Sequence, residues 1–294
     1  MRLLTVRHIT TYRYSEPVRF GEHRMMFRPR ESHDLRLVST NLDILPRPVD
    51  LRWLHDVFDN SVAIATFDEP ASELRFASTV TLEHIETSPP DYALEIEAYT
   101  YPFEYSDEER PDLVRASARQ YPNDDLGPWT DRFFTSSGST TTMTLLHSMA
   151  RGIKEQLVYL RRSEKGVQSP SETLRLGSGS CRDFAVLMME AARSLGIAAR
   201  FVSGYIVLPE GSGSADSGGN THAWMQAYLP GAGWVDFDPT NSIVGNRNLI
   251  RVAMAWDHQN ALPLWGTFIG PSSSFLGMEV AVSVIEESAE VHRR

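Results

Sequence analysis

From Leu3 to about Glu86 the chain alternates apolar and polar side chains with a period of two, the pattern of strands that pack one face against a core. The alternation is clearest over residues 9–14, 35–42 and 61–67. Turn-forming residues separate these runs at Glu16-Pro17, Arg28-Pro29-Arg30, Pro46-Arg47-Pro48 and Asp59-Asn60. The pattern predicts an antiparallel β-domain over residues 1–88, ended by Pro89-Pro90.

Helical spacing appears in the following residues, so the rest of the chain, 89–294, is predicted to form a second domain. Residues 108–120 favour a helix, with Ser and Thr residues from Ser136 to Thr142 as possible N-caps for the next one. That stronger helix is predicted from about Thr141 to Leu160, where the apolar residues recur every three or four positions: Leu146, Met149, Ile153 and Leu157. Beyond Leu174 helix and strand patterns alternate, and the predicted fold class is α+β, with a helix packed on an antiparallel sheet.

A glycine-rich loop, residues 177–180, leads into a helix that is predicted to begin at Cys181. Ser180 and Asp183 have the spacing of a capping box, and Gly196 ends the helix. The apolar positions form one stripe: Phe184, Leu187, Met188, Ala191, Ala192 and Leu195. A thiol at a helix N-terminus has a lowered pKa and suits a nucleophile. An isolated cysteine is more often a small buried hydrophobic residue, so this position alone does not decide between the two interpretations.

A predicted hairpin supplies a histidine and a carboxylate. Alternation over residues 221–229 places His222 and Trp224 on one face, and the return strand places Asp236 and Asp238 on one face. If the turn is centred on Pro230, His222 lies opposite Asp238; if it is centred on Gly231, the two are diagonal neighbours. Their Cβ atoms are then roughly 5 to 8 Å apart in either register. Asp238 is therefore the favoured partner of His222 and Asp236 the second choice, although a turn role for Asp238 stays open.

Charge and composition exclude several classes of function. The chain has 28 basic and 38 acidic residues, a net charge of −10, without a basic cluster, which argues against nucleic acid or an anionic membrane as partner. Its single cysteine cannot form an internal disulfide or a thiolate cluster. No secretory signal or membrane-length apolar run is evident, so we expect a cytoplasmic protein.

Four segments together resemble the transglutaminase-like core of bacterial proteins in the papain-like cysteine enzyme superfamily. They are residues 177–185, 195–205, 222–224 and 233–241. The opening residues also resemble that family's N-terminal β-domain, through the motif from His8 to Tyr14, Arg28-Pro29-Arg30 and Asp59-Asn60. The resemblance implies a Cys-His-Asp triad at Cys181, His222 and Asp238. We expect no cofactor and no metal.

The triad would act on a peptide or protein substrate by acyl transfer. Cys181 would attack an amide carbonyl, His222 would move the proton, and Asp238 would hold the imidazole ring. The Cys181 amide would be one oxyanion donor, and the sequence does not identify a second. Trp224 would either shield the His–Asp contact from water or simply pack there. The loop at 210–220 would form either a mobile rim of the site or an ordinary surface loop.

The thioester leaves more than one function open. Hydrolysis is favoured, as in a cysteine peptidase or amidase, because the sequence has neither a dedicated amine site nor a calcium loop of the Asp-x-Asp-x-Asp type. The alternatives are a transglutaminase that passes a glutaminyl acyl group to an amine and a non-catalytic peptide-binding domain. A metal site formed by the same three residues is less favoured, since it would mix soft and hard ligands.

Overall fold

The computed structural model describes residues 1–85, 92–134, 140–161, 166–207 and 221–287 of the chain. It has the predicted α+β fold, with an antiparallel N-terminal sheet followed by helices and a second antiparallel sheet. Three features interpreted from the sequence lie outside the described residues: Pro89-Pro90, most of the Ser136 to Thr142 capping segment and the loop at 210–220.

The N-terminal region is built around one long strand. The five strands of this region are β1 (Arg2–Met25), β2 (Leu35–Leu45), β3 (Asp50–His55), β4 (Ser61–Thr66) and β5 (Ala71–His84). The sheet has the order β2-β5-β1-β4-β3. All pairs are antiparallel, with Val6 opposite Val80 and Arg24 opposite Ile64. The predicted period of two is confirmed most clearly in β5, where buried and partly exposed residues alternate.

The predicted turn at Glu16-Pro17 is wrong, because β1 runs through it. The pairing of β1 with β5 shifts register between Arg13 and Val18. A proline has no backbone N–H to donate, and an irregularity of this kind tolerates it. Beyond it β1 pairs with β4 instead. The proline therefore marks a change of partner strand and not the end of the strand.

The second region holds all five helices of the described residues. Its elements are β6 (Thr100–Tyr101), α1 (Arg110–Ser117), α2 (Gly127–Thr130), β7 (Thr140–Thr141), α3 (Thr142–Gln156), β8 (Val158–Tyr159), α4 (Pro170–Leu176), β9 (Ser178–Gly179), α5 (Cys181–Ser194), β10 (Ala199–Ile206), β11 (Thr221–Leu229), β12 (Gly233–Asp238), β13 (Ile243–Val244) and β14 (Leu249–Ala255). Short 3-10 turns span Ile96–Ala98, Asp131–Phe133, His258–Ala261 and Ser272–Ser274. Helix α5 begins and ends as predicted, while α1 is shorter than the predicted 108–120.

Helix α5 packs on an antiparallel sheet of order β13-β12-β11-β10-β14. Its apolar stripe and the apolar face of β11 share one buried core, in which Phe184 and Leu187 join Met225 and Phe237. Burial of such side chains stabilises each by about 1.5 to 3 kcal/mol relative to exposure. This packing holds the start of α5 beside β11 and β12.

Helix α3 ends at Gln156, four residues earlier than predicted from the spacing of its apolar residues. Leu157 is extended, and the next two residues form β8, which pairs in parallel with β9. Valine and tyrosine favour strands, and pairing with a segment distant in sequence overrides the local helical spacing. Tyr159 therefore lies on a strand beside the loop that leads to Cys181.

The last described strands return to the N-terminal sheet. Strands β15 (Leu264–Ile269) and β16 (Phe275–Glu286) both pair antiparallel with β1. The division into residues 1–88 and 89–294 stays a prediction, but the sheet of the first region includes strands from the end of the second. Within the described residues, no helix combines the length and apolar character needed to cross a bilayer.

Candidate active site

A buried carboxylate fixes the loop from which α5 starts. Asp183 Oδ2 accepts hydrogen bonds from Ser180 N at 2.7 Å and Ser180 Oγ at 2.8 Å, and its Oδ1 accepts one from Gln168 N at 2.7 Å. A Cβ on Gly179 would lie 2.8 Å from Asp183 Cβ, so the close approach requires glycine. These contacts set the first turn of the helix and with it the position of Cys181.

Cys181 is partly accessible, and its thiol contacts His222. Burial raises the pKa of the thiol, but the hydrogen bond and positive charge of His222 outweigh it, with a smaller contribution from Arg182. The pKa of Cys181 is therefore below its ordinary value. A thiolate is the reactive form of cysteine, so the environment favours a nucleophile over an inert buried thiol.

The hairpin adopts the register centred on Gly231. Met225 pairs with Phe237 and Gln226 with Asp236, so His222 and Asp238 are diagonal neighbours on the sheet. His222 Nε2 lies 2.8 Å from Asp238 Oδ2, which leaves Nδ1 for the thiol. The pairing of His222 with Asp238, inferred from spacing, is thus present in the structure.

The electrostatics of the pair favour a charged histidine. Burial alone would lower the pKa of His222, but the Asp238 carboxylate and the Cys181 sulfur raise it to about 10. Asp238 is fully buried, and the charge and hydrogen bond of His222 hold the pKa of this carboxyl below its usual range. The three residues together stabilise thiolate, imidazolium and carboxylate at neutral pH.

Asn241 is a member of the site that the sequence analysis missed. Its Nδ2 donates to Asp238 Oδ2 at 2.7 Å and lies 3.4 Å from His222 Nε2. Asp238 Oδ1 accepts a further hydrogen bond from the Thr240 amide at 2.9 Å. Asp238 is thus both the partner of His222 and the centre of its own turn, so the two roles considered for it coexist. The sequence signal that could have identified Asn241 is its position three residues after Asp238, within the same turn.

Trp224 is fully buried and lies beside the imidazole of His222. The two rings stack with centroids 5.9 Å apart and an interplanar angle of 26°. Its indole Nε1 donates to Asp236 Oδ1 at 2.6 Å. Asp236, the second-choice carboxylate, therefore binds Trp224 and not His222.

Asp236 also connects the site to the N-terminal region. Arg251 Nη1 donates to Asp236 Oδ2 at 2.9 Å, and Arg251 Nη2 donates to Asp34 Oδ1 at 2.6 Å. Both carboxylates are buried, and Asn246 Nδ2 donates to Asp34 at 2.9 Å. We call Asp34, Arg251, Asp236 and Trp224 the bridging network, because it runs from the loop before β2 to the ring stacked on His222.

Tyr159 was also missed, since the sequence placed it in a helix. It pairs with Gly179, and its hydroxyl hydrogen-bonds to Cys181.

Among the described residues, no group of three or more His, Cys, Asp and Glu side chains has the arrangement of a metal site.

Two family models match separate parts of the chain. Residues 4–83 match the model described as the bacterial transglutaminase-like N-terminal region. Residues 132–239, which include all three candidate triad residues, match the model of the transglutaminase-like superfamily.

Relatives extend the likeness over the whole chain. An uncharacterized protein of Mycobacterium tuberculosis is 29% identical over 299 residues, which cover 95% of this chain and 91% of that one. An uncharacterized protein of Mycobacterium leprae is 31% identical over 135 residues, 46% of this chain and 48% of that one. A crystal structure of a candidate cysteine protease from Cytophaga hutchinsonii has a TM-score of 0.70 and 18% identity, covering 98% of this chain and 92% of that one. This last similarity is evidence for the fold alone.

Proposed function

We propose that this chain, which matches the models of the bacterial transglutaminase-like N-terminal region and of the transglutaminase-like core, is a cysteine-dependent hydrolase of peptide or amide bonds. The observation that carries the proposal is the contact chain from Cys181 through His222 to Asp238, with the pKa of the thiol lowered and that of the imidazole raised. An inert thiol has no need of a buried imidazolium. A non-catalytic peptide-binding domain is therefore the weaker alternative.

The mechanism passes through a thioester. The Cys181 thiolate attacks the carbonyl carbon, a C–S bond forms, and the π electrons of the carbonyl move to its oxygen. When the carbonyl reforms, the C–N bond breaks and the leaving amine takes the proton of His222. His222 then removes a proton from water, and the hydroxide attacks the carbonyl carbon of the thioester. The C–S bond breaks, which releases the carboxylic acid and restores the Cys181 thiolate beside the protonated His222. Asp238 holds the ring in orientation throughout.

The Cys181 amide is the first donor for the oxyanion. The first N–H groups of a helix have no partner within the helix, and they lie at the positive end of its dipole. Trp224 excludes water from one face of His222, which strengthens the contact with Asp238. Both features stabilise charge that develops during acyl transfer.

Alkylation by iodoacetamide across pH tests the nucleophile, and the label reports on one residue because Cys181 is the only cysteine. The lowered pKa of Cys181 and a pKa of about 10 for His222 predict fast labelling at neutral pH and slower labelling in His222→Ala. His147→Ala, at an exposed position of α3, is the matched control and should label like the original protein. Labelling no faster than an ordinary thiol would overturn the proposal.

Either water or an amine can attack the thioester, and we propose that water is the nucleophile. A glutamine-containing peptide library, offered with and without a primary amine, separates hydrolysis from transglutaminase activity. We expect cleavage or deamidation to exceed amine incorporation, and the reverse would favour the transglutaminase. We also propose that the substrate is a peptide or a protein, as the acyl-transfer chemistry suggests, and that the location is cytoplasmic.

A further inference from the structure

We propose that the hydroxyl of Tyr159 is the second donor that binds the oxyanion during attack by Cys181. This inference rests on the proposed acyl-transfer function and assigns a catalytic residue that the sequence did not reveal. Three observations carry it: the strand that positions Tyr159, the contact of its hydroxyl with the reacting sulfur, and its exposure to solvent.

Backbone pairing brings Tyr159 to the nucleophile. Strand β8 lies parallel to β9, with Tyr159 beside Gly179, two residues before Cys181. The amide of Val158 donates to Gly177 O at 2.8 Å and that of Leu160 donates to Gly179 O at 2.9 Å. The same loop is held from its other side by Asp183. Tyr159 and Cys181 therefore stand on two segments whose relative position is fixed by hydrogen bonds.

The ring of Tyr159 reaches across the start of α5. It meets the ring of Phe184 edge to face, with centroids 6.4 Å apart and an interplanar angle of 70°. From there its hydroxyl hydrogen-bonds to the Cys181 sulfur. Burial and the neighbouring thiolate raise the pKa of Tyr159, so its hydroxyl keeps its proton and remains a donor at neutral pH.

The position of the hydroxyl matches where negative charge develops. In the tetrahedral intermediate, the oxyanion and the sulfur are bonded to the same carbon, so the oxygen lies next to the sulfur. A donor already bound to the sulfur reaches that oxygen by a small rotation. Tyr159 donates a hydrogen bond and keeps its proton, so the protons moved by His222 are unaffected. The side chain is 53% exposed, which leaves room for a carbonyl to enter.

Two reactions of the same sulfur separate this role from simple packing. Acylation by p-nitrophenyl acetate forms an oxyanion, and release of p-nitrophenol in the first turnover measures its rate. Alkylation by iodoacetamide is a displacement at a saturated carbon and forms no oxyanion. A donor to the oxyanion matters for the first reaction and not for the second.

Tyr159→Phe keeps the ring contact with Phe184 and removes only the hydroxyl. We expect the acylation rate to fall by about 100-fold, the effect of losing one oxyanion donor, while the alkylation rate changes little. Tyr99→Phe, at a tyrosine that is 59% exposed, is the matched control and should leave both rates unchanged. Cys181→Ala gives the background release to be subtracted.

The other possible results of these rate measurements contradict either the role of Tyr159 or the proposed function. An acylation rate in Tyr159→Phe equal to that of the original protein would overturn the role of Tyr159. A parallel loss of acylation and alkylation would also overturn it, since the hydroxyl would then act only on the thiolate. Slow alkylation in every variant, the original protein included, would instead overturn the proposed function itself.

Discussion

At the scale of single residues, the charge of each member of the candidate site depends on the next. The imidazolium of His222 persists because Asp238 lies 2.8 Å away, and the thiolate of Cys181 persists because the imidazolium is beside it. Without the carboxylate the pKa of the buried histidine would be lower, since burial lowers it. The reactivity of the Cys181 thiol thus depends on the Asp238 carboxylate, which acts on the sulfur through His222.

Asp238→Asn should therefore make the thiol ordinary, because it removes the charge that holds the imidazolium while keeping the size of the side chain. Loss of the carboxylate charge lowers the pKa of His222, and loss of the imidazolium raises that of Cys181. We expect the alkylation rate at pH 7 to fall by at least about 10-fold and the pH profile to move to higher pH. Asp43→Asn, on β2, is the control. An unchanged profile in Asp238→Asn would contradict the triad assignment.

Spacing was sufficient to predict His222 and Asp238 as neighbours, because hairpin geometry fixes positions over short distances. Cys181 was placed with them by the resemblance to the transglutaminase-like family and not by spacing. The contact of Arg251 with Asp34 could not be predicted in the same way. It joins segments more than two hundred residues apart, and the local periodicity of apolar residues carries no information about such a contact. The prediction that placed Tyr159 in a helix was wrong for a related reason, since its strand exists only through pairing with β9.

At the scale of elements, the start of α5 depends on one side chain. Asp183 satisfies three donors from two loops, and it is fully buried. The helix would form from its apolar stripe without this residue, but its first turn and the preceding loop would lose their fixed geometry. Periodicity alone predicted the helix, while the contact with the Gln168 amide appears only in the folded chain.

Asp183→Ala should destabilise the protein by about 2 kcal/mol, because it removes an N-terminal cap and leaves buried donors without their acceptor. The measurement is urea unfolding followed by circular dichroism. Glu155→Ala, an exposed position of α3 in a weak ion pair, should change the free energy of unfolding by less than about 0.5 kcal/mol. Equal effects of the two substitutions would show that Asp183 contributes no special stability.

At the scale of the whole molecule, the bridging network makes the N-terminal region part of the site. Arg251 forms ion pairs with the buried carboxylates of both Asp34 and Asp236, and Asp236 holds the ring that stacks on His222. Removing the cation leaves two buried negative charges without their partner. The strength of this link is therefore measurable by changing one residue.

Arg251→Met keeps much of the side-chain volume and removes the charge. We expect a loss of about 3 to 5 kcal/mol in the free energy of unfolding, the usual result of removing one member of a buried ion pair. Arg36→Met, which breaks the exposed contact with Glu83, should cost no more than about 1 kcal/mol. Similar losses in the two variants would contradict the importance of the network.

The pairing of β1 with β16 has a consequence for how the chain folds during synthesis. Val6 lies opposite Val284, so β1 meets this neighbour only after the residues between the two strands have been made. Until then one edge of β1 stays open, and an open strand edge can pair with another chain. Such late closure slows folding and lengthens the period in which aggregation competes with it.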